Sequence, residues 1–120
     1  MTKILDIQQS ISAANGNASL AKELFALLLS DLDLRLEQIK NSYQANNMEA
    51  LKEHIHKLYG ATAYCIVPEL RNSAAALDER LKENDRSQLN SQVDEVLQKI
   101  QELINGGPDF LKKDWIDNQI

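Results

Sequence analysis

Apolar residues recur at spacings of three and four along almost the whole chain, which is the period of a helix and not the alternation of a strand. Ile4, Ile7 and Ile11 predict a short first helix, with Thr2 as its cap. Ala13-Ala14-Asn15-Gly16-Asn17 interrupts the pattern, and Asn17 or Ser19 is placed to cap the next helix by accepting free backbone N–H groups. A long second helix follows, with Phe25, Leu29, Leu32, Leu36, Ile39 and Tyr43 along one face. Ala45-Asn46-Asn47 is a short link, and Asn46 with Glu49 three residues on has the form of a capping box. The third helix carries Leu51, Ile55, Leu58, Thr62 and Cys65 on its inner stripe. Pro68 suits the first turn of a fourth helix, where its missing N–H costs nothing, and Leu70, Ala74, Leu77 and Leu81 line that helix. Glu83-Asn84-Asp85 ends it. Asp85 or Ser87 then starts a fifth helix lined by Leu89, Val93, Val96, Ile100 and Leu103. Gly106-Gly107-Pro108 predicts the stop and leaves residues 106–120 as a C-terminal tail.

Short links between long amphipathic helices force antiparallel neighbours. The expected fold class is therefore all-α: an antiparallel up-down-up-down four-helix bundle over residues 1–105, with a short additional N-terminal helix. Composition agrees, since 5% aromatic residues, four glycines and two prolines are too few for a sandwich or barrel. With 13 basic and 18 acidic residues the net charge is −5, which argues against nucleic acid and against direct contact with an anionic membrane. The longest apolar run, Leu24 to Leu29, falls far short of the ~20 residues of a spanning helix, and no signal-peptide core opens the chain. A cytoplasmic module is expected, one compatible with a membrane-anchored parent chain. The single cysteine, Cys65, excludes an internal disulfide and a cysteine-rich zinc site.

Candidate chemistry narrows to two histidines, His54 and His56, both on the third helix. Residues two apart on a helix point about 200° from each other, so the pair cannot share one metal ion, and no metal site is expected. Taking Leu51, Ile55, Leu58 and Thr62 as the buried direction, His54 falls about 60° from it and His56 about 140° away. His54 is a boundary residue. His56 points outward with Gly60 and Ala63 on its own face, and a glycine inside a helix weakens it by ~1 kcal/mol unless something must approach there. On geometry alone, an accessible nucleophile and an ordinary surface histidine fit equally.

The residue pattern separates them. His56-Lys57-Leu58-Tyr59-Gly60 resembles the H-x-L-K-G motif of histidine-containing phosphotransfer (HPt) domains. Asn15-Gly16-Asn17 before Leu20-Ala21-Lys22-Glu23-Leu24-Phe25, Asn46-Asn47-Met48-Glu49-Ala50-Leu51, and Val67-Pro68-Glu69-Leu70 are similar to the segments that flank the long helices in that family. The likeness runs over roughly residues 4 to 104 and is nearest to the modules ending BarA-like hybrid sensor kinases. It implies that His56 takes a phosphoryl group from an aspartate on the receiver domain of a hybrid histidine kinase and passes it to the aspartate of a response regulator. It implies a carrier and not an enzyme. There is no Gly-rich phosphate loop, no ATP site is expected, no cofactor is held, and Mg²⁺ belongs to the partner receiver. The family often places Lys three residues after the histidine and Gly ten after, where this chain has Tyr59 and Ile66. Besides Tyr59 itself, Lys52 (one turn before His56) and Lys57 are thus the candidate neighbours of the phosphate. Gly60, Ala63 and Leu34 are the candidate docking residues. Leu34 stands off the main stripe of its helix, and the first helix is expected to cover Leu20, Leu24 and Leu27. The alternative function is a non-catalytic helical scaffold or dimerisation module, which accounts for the amphipathic helices but not for the outward His56–Gly60 pair.

Overall fold

Asparagines set half of the helix ends. The computed structural model describes residues 4–115, which form α1 (Ile7–Ala13), α2 (Ala18–Gln44), α3 (Met48–Ala61), α4 (Pro68–Lys82) and α5 (Leu89–Leu111), with no strand among the described residues. Asn17 and Asn47 cap α2 and α3, accepting the N–H of Leu20 at 2.9 Å and of Ala50 at 3.1 Å. Asn15, Asn46 and Asn84 follow α1, α2 and α4 with φ of 57°, 55° and 57°, the left-handed region that asparagine tolerates. The N–H one residue further on then returns to the last turn: Gly16 to Ile11, Asn47 to Ser42 and Asp85 to Arg80, each at 2.9 Å. These are Schellman closures, and they reverse the chain in very few residues.

This pattern corrects several expected boundaries. Asn46 ends α2, so the cap of α3 is Asn47 and not Asn46. Asp6 caps α1 by accepting the N–H of Gln9 at 3.0 Å, and Thr2 lies outside the described residues. Helix α5 starts neither at Asp85 nor at Ser87; Gln88 stands at its N-cap, while Asp85 accepts the Ser87 N–H at 2.9 Å and folds the link. Thr62 and Cys65 are buried as expected but follow the end of α3, where the Thr62 hydroxyl donates to the Tyr59 carbonyl at 2.6 Å.

Helix α2 packs on α3 and α5, α3 on α4, α4 on α5, and α1 on α2. Phe25, Leu32 and Ile39 of α2 are fully buried with Leu51, Ile55 and Leu58 of α3, Ala74 and Leu77 of α4, and Val93, Val96 and Ile100 of α5. The principal extents are 49 × 23 × 23 Å, so the ~40 Å length of a 27-residue helix such as α2 spans most of the long axis. Helix α1 is tied to the α3–α4 link, because Asp6 N–H donates to the Ile66 carbonyl at 2.8 Å and the Ser10 hydroxyl accepts the Ile66 N–H at 3.0 Å. Held there, it does not cover the upper leucines of α2 as expected: Leu20 is 40% exposed and Leu27 59%, while Leu24 is half-buried.

The largest departure is at the C-terminal end. Gly106-Gly107-Pro108 does not stop α5, which runs through it to Leu111. Pro108 loses one backbone bond and would ordinarily cost a helix interior about 3 kcal/mol. Tertiary packing outweighs that cost. Gly107 is buried, and a Cβ there would meet Leu29 Cδ2 at 2.5 Å, so α2 and α5 approach closely because that position has no side chain. Beyond it, Phe110 meets the Phe25 ring edge-on with centroids 6.3 Å apart, and Trp115 lies 5.7 Å from the same ring. The Trp115 Nε1–H donates to the Phe110 carbonyl at 2.9 Å, and the residue is buried.

Candidate functional site

His56 lies on the outer side of α3, opposite Leu51, Ile55 and Leu58, and its side chain is 64% exposed. Its Nδ1 stands 3.3 Å from Oδ1 of Asp78, a carboxylate of α4 that is only 7% exposed. The other oxygen of Asp78, Oδ2, receives the Lys82 ammonium at 3.1 Å. A buried carboxylate needs such partners, since an unpaired charge out of water is costly. With Nδ1 on Asp78, Nε2 is the ring nitrogen left to act as a nucleophile. The three side chains line a cleft of about 370 Å³ between α3 and α4, which Glu49, Lys52, Glu53 and Leu81 complete. One turn after His56, Gly60 is exposed, and a Cβ built on it would meet nothing within 4 Å. The approach to the ring is open along the helix.

The expected neighbours of the histidine fare differently. Lys52 lines the cleft, and its Nζ donates to Asn84 Oδ1. Lys57 points to the other flank of α3 and pairs with Glu53 at 2.8 Å, which holds the Glu53 carboxyl below the usual carboxylate range. Tyr59 is not beside the cleft: it packs on the core, its hydroxyl accepts from Arg71 at 3.3 Å, and the guanidinium lies 4.6 Å over its ring. Arg71 also donates to Thr62 at 3.0 Å, so Tyr59 belongs to a lock between α3 and α4. Ala63 is exposed but sits in the turn after α3 and not on the helical face of His56. His54 is half-buried and shares a groove with Leu34, Arg35 and Lys57.

Leu34 is 63% exposed, on the α2 flank of α3, away from Asp78. A second groove of about 390 Å³ continues along that flank, lined by Leu24, Leu27, Leu28, Ala61 and the 66%-exposed Tyr64, with Asp31, Arg35 and Lys57 among them. The outward ridge of α3 therefore divides a cleft lined mostly by charged residues on the α4 side from a leucine-rich groove on the α2 side. Burial pushes the Cys65 thiol up to about 11, so it is no rival nucleophile near neutral pH. Among the described residues no group of three or more metal-ligating side chains comes together, and no helix is long and apolar enough to cross a membrane.

Sequence reasoning missed Asp78 and Lys82. The available signal was a carboxylate four residues after Ala74 and adjacent to Leu77, set into the apolar stripe of α4. A charge in such a place asks for a partner, and His56 on the facing helix supplies it.

The Hpt domain family model matches residues 23–106. The sensor histidine kinase GacS of Pseudomonas protegens is 41% identical over 83 residues, covering 69% of this chain and 9% of the relative. The signal transduction histidine-protein kinase BarA of Escherichia coli K12 is 27% identical over 84 residues, covering 70% of this chain and 9% of the relative. The chain thus matches about 9% of the length of these curated relatives. Among solved structures, the HPT domain from an Hpt sensor hybrid histidine kinase of Shewanella superposes with a TM-score of 0.85 at 25% identity, covering 91% of this chain and 94% of that one.

Proposed function

The chain belongs to the Hpt domain family, and on that premise we propose that it carries phosphoryl groups on His56 between two receiver domains of a phosphorelay. The observation that carries this reading is the state of His56: an exposed ring, held through Nδ1 by a buried carboxylate, with bare helix one turn beyond. The cyclic packing of α2, α3, α4 and α5 supports reading them as an antiparallel up-down-up-down four-helix bundle, a rigid platform for that ring.

In the forward step the Nε2 lone pair attacks the phosphorus of a receiver's aspartyl phosphate. The N–P bond forms, the acyl P–O bond breaks, and its electron pair returns to the aspartate carboxylate. The proton stays on Nδ1, where Asp78 balances the positive charge that the ring acquires, so the ring is ready to leave in the reverse sense. The receiver supplies Mg²⁺ and the charges around the moving phosphoryl group, and this chain needs no nucleotide or cofactor of its own. The donor is the receiver of a hybrid histidine kinase and the acceptor that of a response regulator. They dock over Gly60 and the exposed Ala63 onto the leucine-rich flank of α2 and α3, where Leu34 is also exposed. Lys52 adds positive charge to the cleft one turn before His56. The module works in the cytoplasm, and a free-standing carrier and a domain of a sensor kinase both fit this reading.

The test is labelling. The purified chain with ATP alone stays unlabelled, while a kinase and receiver together add an acid-labile, alkali-stable label. His56→Gln abolishes it, and His54→Gln retains it. Labelling by ATP alone, or a label that survives His56→Gln, would overturn the assignment.

A further inference from the structure

Tyr59 occupies the position three residues after His56 and is locked to Arg71, so α3 offers no cation there for a phosphoryl group. Lys57 faces the other flank and is neutralised by Glu53. One cation of the cleft comes from α4: Lys82 holds Oδ2 of the same carboxylate whose Oδ1 meets His56. One carboxylate and two hydrogen-bond lengths separate the ammonium from the ring. Lys82 is 63% exposed, so its long stem is free to swing, whereas Asp78 is fixed by burial.

Resting on the carrier reading, we propose that Lys82 is the phosphoryl-binding residue of this domain and exchanges partners when His56 is phosphorylated. Before transfer, Asp78 divides its charge between the ring N–H and Lys82. After transfer the ring carries positive charge and draws on Asp78 more strongly. The phosphoryl group on Nε2 meanwhile places about two negative charges at the mouth of the cleft, where Glu49 and the Lys57-paired Glu53 are the other acids and repel them. Both changes release Lys82 from Asp78 and attract it to the phosphoryl oxygens. Lys52 lines the same cleft but is held toward Asn84 at the end of α4, and it acts at longer range.

Phosphoramidate tests this without any partner, since it donates its phosphoryl group to histidine and releases ammonia. ³¹P NMR of the phosphorylated full chain reads the titration of the phosphoryl group, and a bound ammonium holds it below that of free phosphohistidine. Lys82→Ala should raise that titration and lower the fraction of His56 phosphorylated at equilibrium about two- to fivefold, the range of an exposed charge pair. Lys82→Arg should restore both. Lys57→Ala should change neither, and Lys52→Ala less than Lys82→Ala. An unshifted titration in Lys82→Ala, or a larger shift in Lys52→Ala, would overturn the role of Lys82 while leaving the carrier reading intact. A wild-type chain that forms no phosphohistidine would overturn both.

Discussion

Deleting residues 106–120 should remove a large part of the domain's stability, although the family match ends at residue 106. The deletion removes Gly107, buried against Leu29, the Phe110 ring edge on Phe25, and Trp115, which is 7% exposed. Phe25, now fully buried, would lose both aromatic neighbours and face water. Truncating a buried Phe or Trp to Ala typically costs ~3–5 kcal/mol, and an aromatic pair adds ~0.5–1.5 kcal/mol beyond burial. Trp115→Ala alone should therefore remove about 3 kcal/mol from a domain whose total is on the order of 5–15 kcal/mol. At ~3–5 °C per kcal/mol for this size, its melting temperature should fall by roughly 10 °C. A chain ending at Asn105 should fall further. Thermal melts by far-UV circular dichroism measure both variants. Trp115 is the only tryptophan, so in the intact chain its fluorescence gives a second melting curve that should coincide with the first. Two separated transitions, with a circular-dichroism midpoint indifferent to the deletion, would refute the argument and make residues 106–115 a satellite of the core.

Two other positions probe the site. Gly60→Ala should raise stability by about 0.5–1 kcal/mol in a chemical denaturation series, because its Cβ meets open space in the free chain. Gly60→Leu should keep the fold but slow rapid-quench transfer from a phosphorylated receiver, and full-rate transfer would make the glycine incidental. Asp78→Asn keeps the shape of the side chain and removes the charge that steadies the phosphorylated ring. A hydrogen bond to a charged group is worth ~1.5–3 kcal/mol, so single-turnover transfer should slow roughly ten- to a hundredfold with the helical circular-dichroism signal unchanged. An unaltered rate would show that the carboxylate serves packing alone.

The helices were legible because their signals are local. Spacings of three and four placed the core stripes, and Pro68 marked the start of α4. The misleading signals were also local. Asn46 and Asn47 both cap well in isolation, and only the register of α2 decides that the first ends one helix and the second begins the next. Gly106-Gly107-Pro108 reads as a stop by every propensity, yet Leu29 of α2 needs the space that Gly107 leaves, and Phe25 anchors Phe110 and Trp115 beyond it. Those partners lie some eighty residues away in the chain, where no window of neighbouring residues can register them.

The site divides along the same line. His56 and Gly60 share one helix, so rotation by ~100° per residue was enough to place both outward. Asp78 and Lys82 share another helix one turn apart, and nothing within either helix says that the two faces meet. Helices α3 and α4 pack together with Leu51, Ile55, Leu58, Leu70, Ala74 and Leu77 all buried in the core, and that packing brings Asp78 to 3.3 Å from the ring. The same packing explains why Tyr59 can stand where a cation was expected. Rotated toward α4, position 59 reaches Arg71 and fastens the two helices together, while Lys82 reaches the cleft from the far end of α4. The division assigns rigidity to one pair of residues and charge to another. Tyr59→Lys should therefore loosen the α3–α4 contact without placing its ammonium in the His56 cleft. A lower melting temperature with an unchanged phosphoryl titration would bear this out, and a lowered titration would refute it.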